Sequence, residues 1–202
     1  AVKEGLVGYV MGARISENVL RIDRLSSLQI KQELNAEDID LSEGSFIVSA
    51  TSDLITDQRV DRSACAIKDM GHEVLVVGRK LRSSPHMVGR RYRTVRFKLW
   101  FEKGPLFYAT YNLRLLFFLL RNKVDVLFSN DLDTLPANYL ASKLKRIPLV
   151  YDSHEYYTGV PELEGRPIVK GIWSWFEKRI IPNLHYAITV NNSIANIYSK
   201  KY

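Results

Sequence analysis

The chain has 202 residues, of which 46% are hydrophobic and 25% are charged, and this composition is typical of a folded globular protein rather than a disordered one. The single cysteine, Cys65, cannot form an internal disulfide and excludes a cysteine-rich zinc site. No segment is apolar over the roughly 20 residues that a membrane-spanning helix needs, and we identify no secretory signal. We therefore expect a soluble, cytoplasmic protein.

The net charge of +7 is unevenly distributed along the chain. Residues 1–45 contain five Lys or Arg and eight Asp or Glu, whereas residues 46–202 contain 24 and 14. The segment Arg79–Lys98, called the basic segment below, carries eight basic residues and no acidic one. Such a stretch is typical of contact with anions. We assign anion or membrane binding to five of its side chains: Arg79, Lys80, Arg82, Arg90 and Arg91.

The first 45 residues are interpreted as an appended segment of unassigned function. Their pattern favours a short strand within Gly5–Ile15 and a short helix at Leu25–Leu34, and the acidic stretch Asn35–Ser45 is typical of a linker. About 45 residues do not readily form a core of their own. We therefore divide the chain into an unassigned segment with an acidic linker, 1–45, and a domain, 46–202.

From Phe46 onward, short apolar runs alternate with longer helical patterns. The predicted strands are Phe46–Ala50, His72–Val77, Tyr92–Phe97, Val124–Ser129, Pro148–Tyr151 and Tyr186–Val190. The predicted helices are Arg59–Met70, Pro105–Arg121, Thr134–Leu144, Ile168–Ile181 and a last one that begins near Asn191. This alternation predicts an α/β fold, with a Rossmann-like parallel sheet and helices on both faces. Such sheets bind ligands beyond the carboxyl ends of their strands, so we expect function in the loops that follow the strands.

The loop after the first strand of this domain contains no glycine, and no P-loop sequence occurs elsewhere in the chain. A dinucleotide-binding dehydrogenase and a P-loop nucleotidase are therefore poorly supported. Asp57 lies where it can cap the next helix or contact a ligand at the helix N-terminus, and the two roles are compatible.

Asn130, Asp131 and Asp133 directly follow a strand that we expect to be buried. Two carboxylates two residues apart can share a divalent cation, and Asp-x-Asp is a signature of metal-dependent nucleotide-sugar transferases. The alternatives are that Asp133 caps the next helix, or that these side chains contact substrate hydroxyls. We favour substrate contact and assign no metal.

The sequence from Tyr151 to Tyr157, YDSHEYY, also overlaps the end of a predicted strand. It places His154 between Asp152 and Glu155, and a histidine with neighbouring carboxylates can orient, donate and accept protons near neutral pH. The alternative is a solvated turn. We favour a ligand-binding role for His154.

Several stretches together resemble the family 4 retaining glycosyltransferases. They are Asp57–Val77, Val124–Asp133, Leu149–Glu155 and Glu177 followed by Tyr186–Asn191. The resemblance covers residues 46–202, about three quarters of the chain. It departs from the family in the first loop, where the glycine-rich sequence common in the family is absent.

The resemblance implies one half of a GT-B fold, in which two Rossmann-like domains face each other across a cleft. Residues 46–202 would be the N-terminal, acceptor-binding domain, and the second domain would bind the nucleotide-sugar donor. That donor domain has no counterpart in this sequence, so we expect the chain alone to be inactive. His154 would be the catalytic residue near the donor sugar. The substrate-binding residues would be Asp57, Arg59, Asn130, Asp131, Asp133, Asp152 and Glu155.

The expected function is transfer of a sugar from a nucleotide-sugar donor to a glycan or lipid-linked acceptor, with retention of configuration and no cofactor. Two alternatives remain: a GT-A-like metal-dependent transferase that uses Asp131 and Asp133, and a non-catalytic module that binds anions or membranes. The basic segment and the aromatic residues after it are typical of an anionic membrane surface as partner, with a solvated loop as the equal alternative. We expect no nucleic acid partner, because the basic residues lie in one loop without an RNA-binding motif.

Overall fold

In the computed structural model, which describes residues 9–12, 44–87 and 89–202, seven strands form one sheet. The strands are β1 Tyr9–Gly12, β2 Ser45–Asp53, β3 Glu73–Lys80, β4 Arg93–Lys98, β5 Val126–Asn130, β6 Leu149–Ser153 and β7 Tyr186–Thr189. The helices are α1 Gln58–Asp69, α2 Gly104–Arg121, α3 Asp131–Lys145, α4 Pro167–Ile180 and α5 Asn192–Lys201. No helix in the described part of the chain is both long and apolar enough to cross a membrane.

In the strand order β1-β7-β6-β5-β2-β3-β4, the direction in which successive strands are added to the sheet reverses beside β2, near the middle of the sheet. Strands β2 to β7 are parallel, and β1 pairs antiparallel with β7. The chain runs outward from β2 through β3 to β4 and then returns to place β5 on the other side of β2. Such a reversal opens a crevice between the two loops that leave the adjacent strands, and this crevice is the usual ligand site of an open parallel sheet.

Helices cover both faces of the sheet, as predicted. Helix α2 begins with Pro105 in its first turn and buries Phe107, Tyr111, Leu115 and Leu119, which are four residues apart and share one face. These side chains belong to a core cluster with residues of α3 and α4. Helix α1 packs a second cluster against the opposite face of the sheet. The prediction of an α/β fold with a parallel sheet between helices is confirmed.

The two central strands β5 and β6 are buried at every position. A strand covered on both faces favours a continuous apolar run, yet both strands end in buried polar residues. Asn130 ends β5, and Asp152 and Ser153 end β6. Buried polar groups need hydrogen-bond partners, so the carboxyl ends of these strands are where polar contacts must converge.

Two predicted boundaries differ from the structure. Helix α3 begins at Asp131, three residues before the predicted start at Thr134. Ser45 begins β2 instead of ending the linker, because its backbone N–H and hydroxyl both donate to Asp125 Oδ2 at 2.7 Å. The strand Tyr9–Gly12 lies within the strand predicted at Gly5–Ile15. The predicted helix Leu25–Leu34 lies outside the described residues, and the division of the chain at residue 45 stays a prediction.

Candidate functional site

The carboxyl ends of β2, β5 and β6 lie side by side and bring together residues that are far apart in the sequence. Asn130 and Asp152 are register partners in the β5–β6 pair. The Asn130 side-chain amide donates to the carbonyl oxygen of Ser49 in β2 at 3.1 Å, which directs its own carbonyl oxygen toward the crevice. Three strands thus hold one polar cluster, called the strand-end site below.

His154 lies within this site with its side chain only 9% exposed. Its Nε2 is 3.4 Å from Asp152 Oδ2 and 3.4 Å from Asn130 Oδ1. Both neighbours are hydrogen-bond acceptors, so Nε2 carries the proton of the neutral ring and Nδ1 is left as an acceptor. Nδ1 is buried and has no hydrogen-bond partner among the described residues. The imidazole is therefore oriented through Nε2, and its buried Nδ1 is an acceptor that no described residue uses.

Asp131 holds the loop that carries His154. Its Oδ1 accepts the backbone N–H of His154 at 3.1 Å, and its Oδ2 lies 3.9 Å from Arg59 Nη2. Asp131 has a φ of 58°, in the left-handed region that residues other than glycine adopt at a cost. Burial raises the pKa of the Asp131 carboxyl to about 6, although the His154 N–H and Arg59 act in the opposite direction.

The side chain of Asp133 points into the neighbouring part of the crevice. Its Oδ2 accepts a hydrogen bond from the Thr51 hydroxyl, and its backbone carbonyl accepts from the Asn112 side-chain amide at 2.7 Å. Burial, followed by the charge of Asp131, raises the pKa of Asp133 to about 7. The alternative in which Asp133 caps a helix beginning at Thr134 is wrong, since α3 begins earlier and the carboxylate faces Thr51.

Asp152 and His154 have pKa shifts in opposite directions from the same physical cause. Burial raises the pKa of Asp152 to about 6 and lowers that of His154, because both groups are more easily buried uncharged. Their mutual attraction opposes both shifts. Ser63 of α1 donates to Asp152 Oδ2 at 3.4 Å and links the first helix to the site.

The remaining predicted substrate-binding residues lie at the rim. Asp57 caps α1 by accepting the backbone N–H groups of Arg59 and Val60 at 3.0 and 3.1 Å, which confirms the capping role. Arg59, with a half-exposed side chain, lies 3.8 Å from Asp57 and close to Asp131. Glu155 is exposed, and its backbone oxygen accepts from the Ser153 hydroxyl at 2.8 Å.

Of the basic segment, Arg79 lowers the pKa of Asp133 through its charge, whereas other cations pair with acidic groups outside the strand-end site. Arg90 binds Asp61 at 2.8 Å and also donates to the carbonyl oxygens of Leu54 and Ile55. Arg91 binds Asp69 at 2.6 Å. Arg79 donates to the carbonyl oxygen of Glu102 at 3.0 Å.

Lys80 is half-buried and Arg82 is exposed. Neither side chain forms a salt bridge within the parts of the chain that the structure describes. Of the five predicted anion-binding residues, Arg79, Arg90 and Arg91 therefore bind other groups of the protein, whereas Lys80 and Arg82 form no salt bridge among the described residues.

Two polar groups with no role predicted from the sequence are Thr51, which lies at the site, and Glu177, which lies between α4 and α5. Thr51 carries no motif, and only the return of the chain to β5 places it beside Asp133. Glu177 was part of the family resemblance but was given no role. Its carboxylate is fully buried and accepts from Lys201 and, at 2.6 Å, from Tyr202. These contacts fasten α5 to α4.

The metal-dependent alternative needs several oxygen ligands directed at one point. Asp131 and Asp133 instead accept hydrogen bonds from different donors, His154 N–H and the Thr51 hydroxyl. Among the described residues, no group of three or more His, Cys, Asp and Glu side chains is arranged to hold a metal ion.

Comparison with known proteins matches residues 58–202 to the family described as Glycosyltransferase Family 4. The chain belongs to glycosyltransferase family 4. The same residues contain the five helices α1 to α5 and the parts of the strand-end site that follow β5 and β6. The expected family is therefore confirmed over most of the chain.

A solved structure that matches part of the chain is that of SsfS6, a glycosyltransferase from Streptomyces sp. SF2575, with 18% sequence identity and a TM-score of 0.44. The similarity covers 70% of this chain and 47% of SsfS6, so the chain matches about half the length of that protein. No curated protein matches the chain.

Proposed function

We propose that the chain is the acceptor-binding half of a retaining glycosyltransferase with a GT-B fold. In this proposal a second domain, outside this chain, binds the nucleotide-sugar donor, which is a co-substrate, and no further cofactor takes part. The acceptor is a glycan or a lipid-linked sugar. Family membership supports the reaction class, and the orientation of His154 is the single observation that carries the assignment of the site.

His154 acts as a neutral hydrogen-bond acceptor in this proposal. Asp152 and Asn130 hold the protonated Nε2, so Nδ1 accepts a hydrogen bond from a hydroxyl of the transferred sugar. The lowered pKa of His154 keeps the ring uncharged near neutral pH, which preserves Nδ1 as an acceptor. Hydrogen bonds of fixed direction position the sugar for displacement of the nucleoside diphosphate.

The acceptor contacts the acidic side of the crevice. Sugar hydroxyls donate well to carboxylates, and Asp131 and Asp133 at the start of α3 present such acceptors. Asn130, Asp152 and Glu155 complete the set of proposed substrate contacts. A buried carboxylate that accepts fewer hydrogen bonds than its oxygens allow gains one when a sugar hydroxyl binds in the crevice.

The leaving diphosphate is stabilised by Arg59. The N-terminus of α1 is a potential anion site, but Asp57 already accepts the N–H groups of Arg59 and Val60. The half-exposed guanidinium of Arg59 is the cation that remains directed at the crevice, 3.9 Å from Asp131. A preorganised cation near the developing negative charge lowers the barrier to its departure.

The test compares two histidines in the complete gene product. Release of nucleoside diphosphate is measured with a panel of nucleotide sugars and a membrane lipid extract as the source of acceptor. We expect His154→Ala to lower the rate at least a hundredfold, an effect on the order of 3 kcal/mol. His185→Ala is the matched control, because His185 is exposed and directly precedes β7, at the amino ends of the parallel strands, whereas His154 follows the carboxyl end of β6. Equal rates for the two variants would remove His154 from the mechanism.

A further inference from the structure

Helix α5 contacts the loop that carries His154 on both sides of this histidine. Before it, the Ser153 hydroxyl lies 3.2 Å from the Tyr198 hydroxyl of α5. After it, the Tyr156 hydroxyl accepts a hydrogen bond from Lys201 Nζ of the same helix at 2.8 Å. Tyr198 and Lys201 are three residues apart and therefore lie on one face of α5. The loop is thus anchored to α5 as well as to the strand ends.

The ring of Tyr156 is held from several directions. It makes an edge-to-face contact with the Tyr198 ring, with 5.9 Å between the ring centres, and Lys201 Nζ lies 5.0 Å from its own centre. A Cβ atom at Gly159 would lie 2.3 Å from Tyr156 Cδ1, so the glycine allows the ring to pack directly against the backbone. The Gly159 N–H also donates to the Tyr156 carbonyl oxygen at 2.8 Å. Tyr156 is therefore fixed in position two residues after His154.

Lys201 connects Tyr156 to the buried carboxylate of Glu177 in α4. Oε1 of Glu177 accepts from Lys201 Nζ and from the Tyr202 hydroxyl, whereas its Oε2 is buried without a hydrogen-bond partner among the described residues. Burial lowers the pKa of Lys201, but hydrogen bonds with Glu177 and two tyrosines outweigh burial and raise it, so the ammonium group stays charged. Removing one partner of a buried ion pair is costly, because the other charge stays buried. Glu177 therefore holds the ammonium group in place, and this group in turn holds Tyr156.

The direction of the His154 ring depends on this loop as well as on the contacts of the ring itself. Its Nε2 lies 3.4 Å from both Asp152 Oδ2 and Asn130 Oδ1, which is longer than a typical N–H···O hydrogen bond. Long hydrogen bonds restrict a ring less than short ones do. The position of the backbone, fixed at one end by Asp131 and at the other by Tyr156, therefore contributes to the orientation of the imidazole.

We propose that Lys201 and Glu177 are positioning residues for His154. Lys201, held by the buried Glu177 carboxylate, fixes Tyr156 and thereby the loop that sets the direction of the imidazole. The two residues act through this loop and not by contact with a substrate. The inference rests on the proposed function, since the network affects sugar transfer only if His154 does. The competing explanation is that the network only fastens α5 to α4.

Two variants that each remove one hydroxyl from this network distinguish the two explanations. Tyr156→Phe removes the hydrogen bond between Lys201 and the loop. Tyr202→Phe is the matched control, because it removes a hydrogen bond to Glu177 that does not involve the loop. The nitrogen resonances of the histidine rings, measured by NMR on the full chain, report which ring nitrogen carries the proton, and those of His154 are the ones that His154→Ala removes. We expect Tyr156→Phe to convert the Nε2–H form of His154 into a mixture of the two neutral forms, and Tyr202→Phe to leave it unchanged.

The positioning residues themselves are tested with the double variant Glu177→Gln/Lys201→Met. It replaces the buried ion pair with neutral side chains of similar size and so leaves no unpaired charge in the core. We expect the same change in the His154 resonances. In the complete gene product, with the assay used for His154→Ala, we expect release of nucleoside diphosphate to be at least tenfold slower in the double variant and within about twofold of the unchanged protein in Tyr202→Phe.

Unchanged His154 resonances in both Tyr156→Phe and the double variant would overturn the inference. A change in Tyr202→Phe as large as that in Tyr156→Phe would also overturn it, because it would show that the network acts only by fastening α5. If His154→Ala is slow while these resonances are unchanged, the positioning inference fails and the proposed function stands. If His154→Ala is as fast as the unchanged protein, the proposed function fails and the inference fails with it.

Discussion

The basic segment is positively charged and the strand-end site is negatively charged. The two regions differ in whether their charged side chains form ion pairs. Arg90 and Arg91 lie within 2.8 and 2.6 Å of aspartates on α1. Asp133, by contrast, is buried beside another carboxylate, and its side chain forms no ion pair with a lysine or arginine among the described residues. Burial, followed by the charge of Asp131, raises the pKa of this aspartate, and the hydrogen bond from Thr51 and the charge of Arg79 offset the increase only in part.

The difference shows which kind of charge indicates a ligand site. A paired surface arginine contributes to the fold and needs no ligand. A buried carboxylate without a cation costs free energy, and proteins retain such groups at functional sites. The basic segment has the highest density of charge in the sequence, but the buried Asp133 carboxylate, which has no ion pair among the described residues, is the stronger indication of chemistry.

The largest effect on stability is expected from Arg90→Gln. This change leaves Asp61 without its cation and removes hydrogen bonds to the carbonyl oxygens of Leu54 and Ile55. Both charged side chains are at least two-thirds buried. We expect the free energy of unfolding, measured in urea, to fall by about 2–3 kcal/mol. A loss below about 0.5 kcal/mol would contradict a structural role for this pair.

A smaller effect of opposite sign is expected from Asp133→Asn. The pKa of Asp133 in the folded protein, about 7, lies above its ordinary value of 3.8, so folding favours the protonated form. The stability that this group contributes is complete below about pH 4 and is lost as the pH rises through about 7. Asparagine keeps an acceptor for Thr51 without the charge.

We therefore expect Asp133→Asn to raise the free energy of unfolding by about 1–2 kcal/mol at pH 8 and to leave it nearly unchanged at pH 4. Urea titrations at the two pH values measure the difference. Equal effects at both pH values would show that Asp133 is ionised in the folded protein at no cost.

The smallest effect is expected from Arg91→Gln. Arg91 and Asp69 are 63% and 57% exposed, and solvent screens an ion pair at such a position. We expect no measurable change in the free energy of unfolding. A loss of stability comparable with that of Arg90→Gln would mean that ion pairing, independent of burial, determines how much the basic segment contributes to the stability of the fold.

Much of the fold could be predicted because its signals are local. Strand and helix positions follow from apolar spacing, and the predicted helix Pro105–Arg121 starts one residue after the observed start of α2. The grouping of Asn130, Asp152 and His154 follows from the rule that parallel strands end at one edge. The sequence was therefore sufficient to predict that these three residues lie close together.

The contacts that determine the chemistry could not be predicted in this way. Thr51 and Asp133 are 82 residues apart and meet only because β5 returns beside β2. Asp131 has a left-handed backbone and accepts the backbone N–H of His154, which is 23 residues away in the sequence, so its local sequence does not predict this contact. The exposure of Leu106, Leu113 and Phe117 on α2 could also not be predicted, because these residues are as apolar as the core residues of the same helix.

The central claim is that Asp133, a buried carboxylate without an ion pair among the described residues, serves sugar transfer at a cost in stability. The most direct test measures both properties of Asp133→Asn in the complete gene product, with Arg91→Gln as the control. We expect Asp133→Asn to be more stable at pH 8 and to release nucleoside diphosphate at least tenfold more slowly, while Arg91→Gln changes neither property. An Asp133→Asn protein with an undiminished rate, or one less stable at pH 8, would contradict the account.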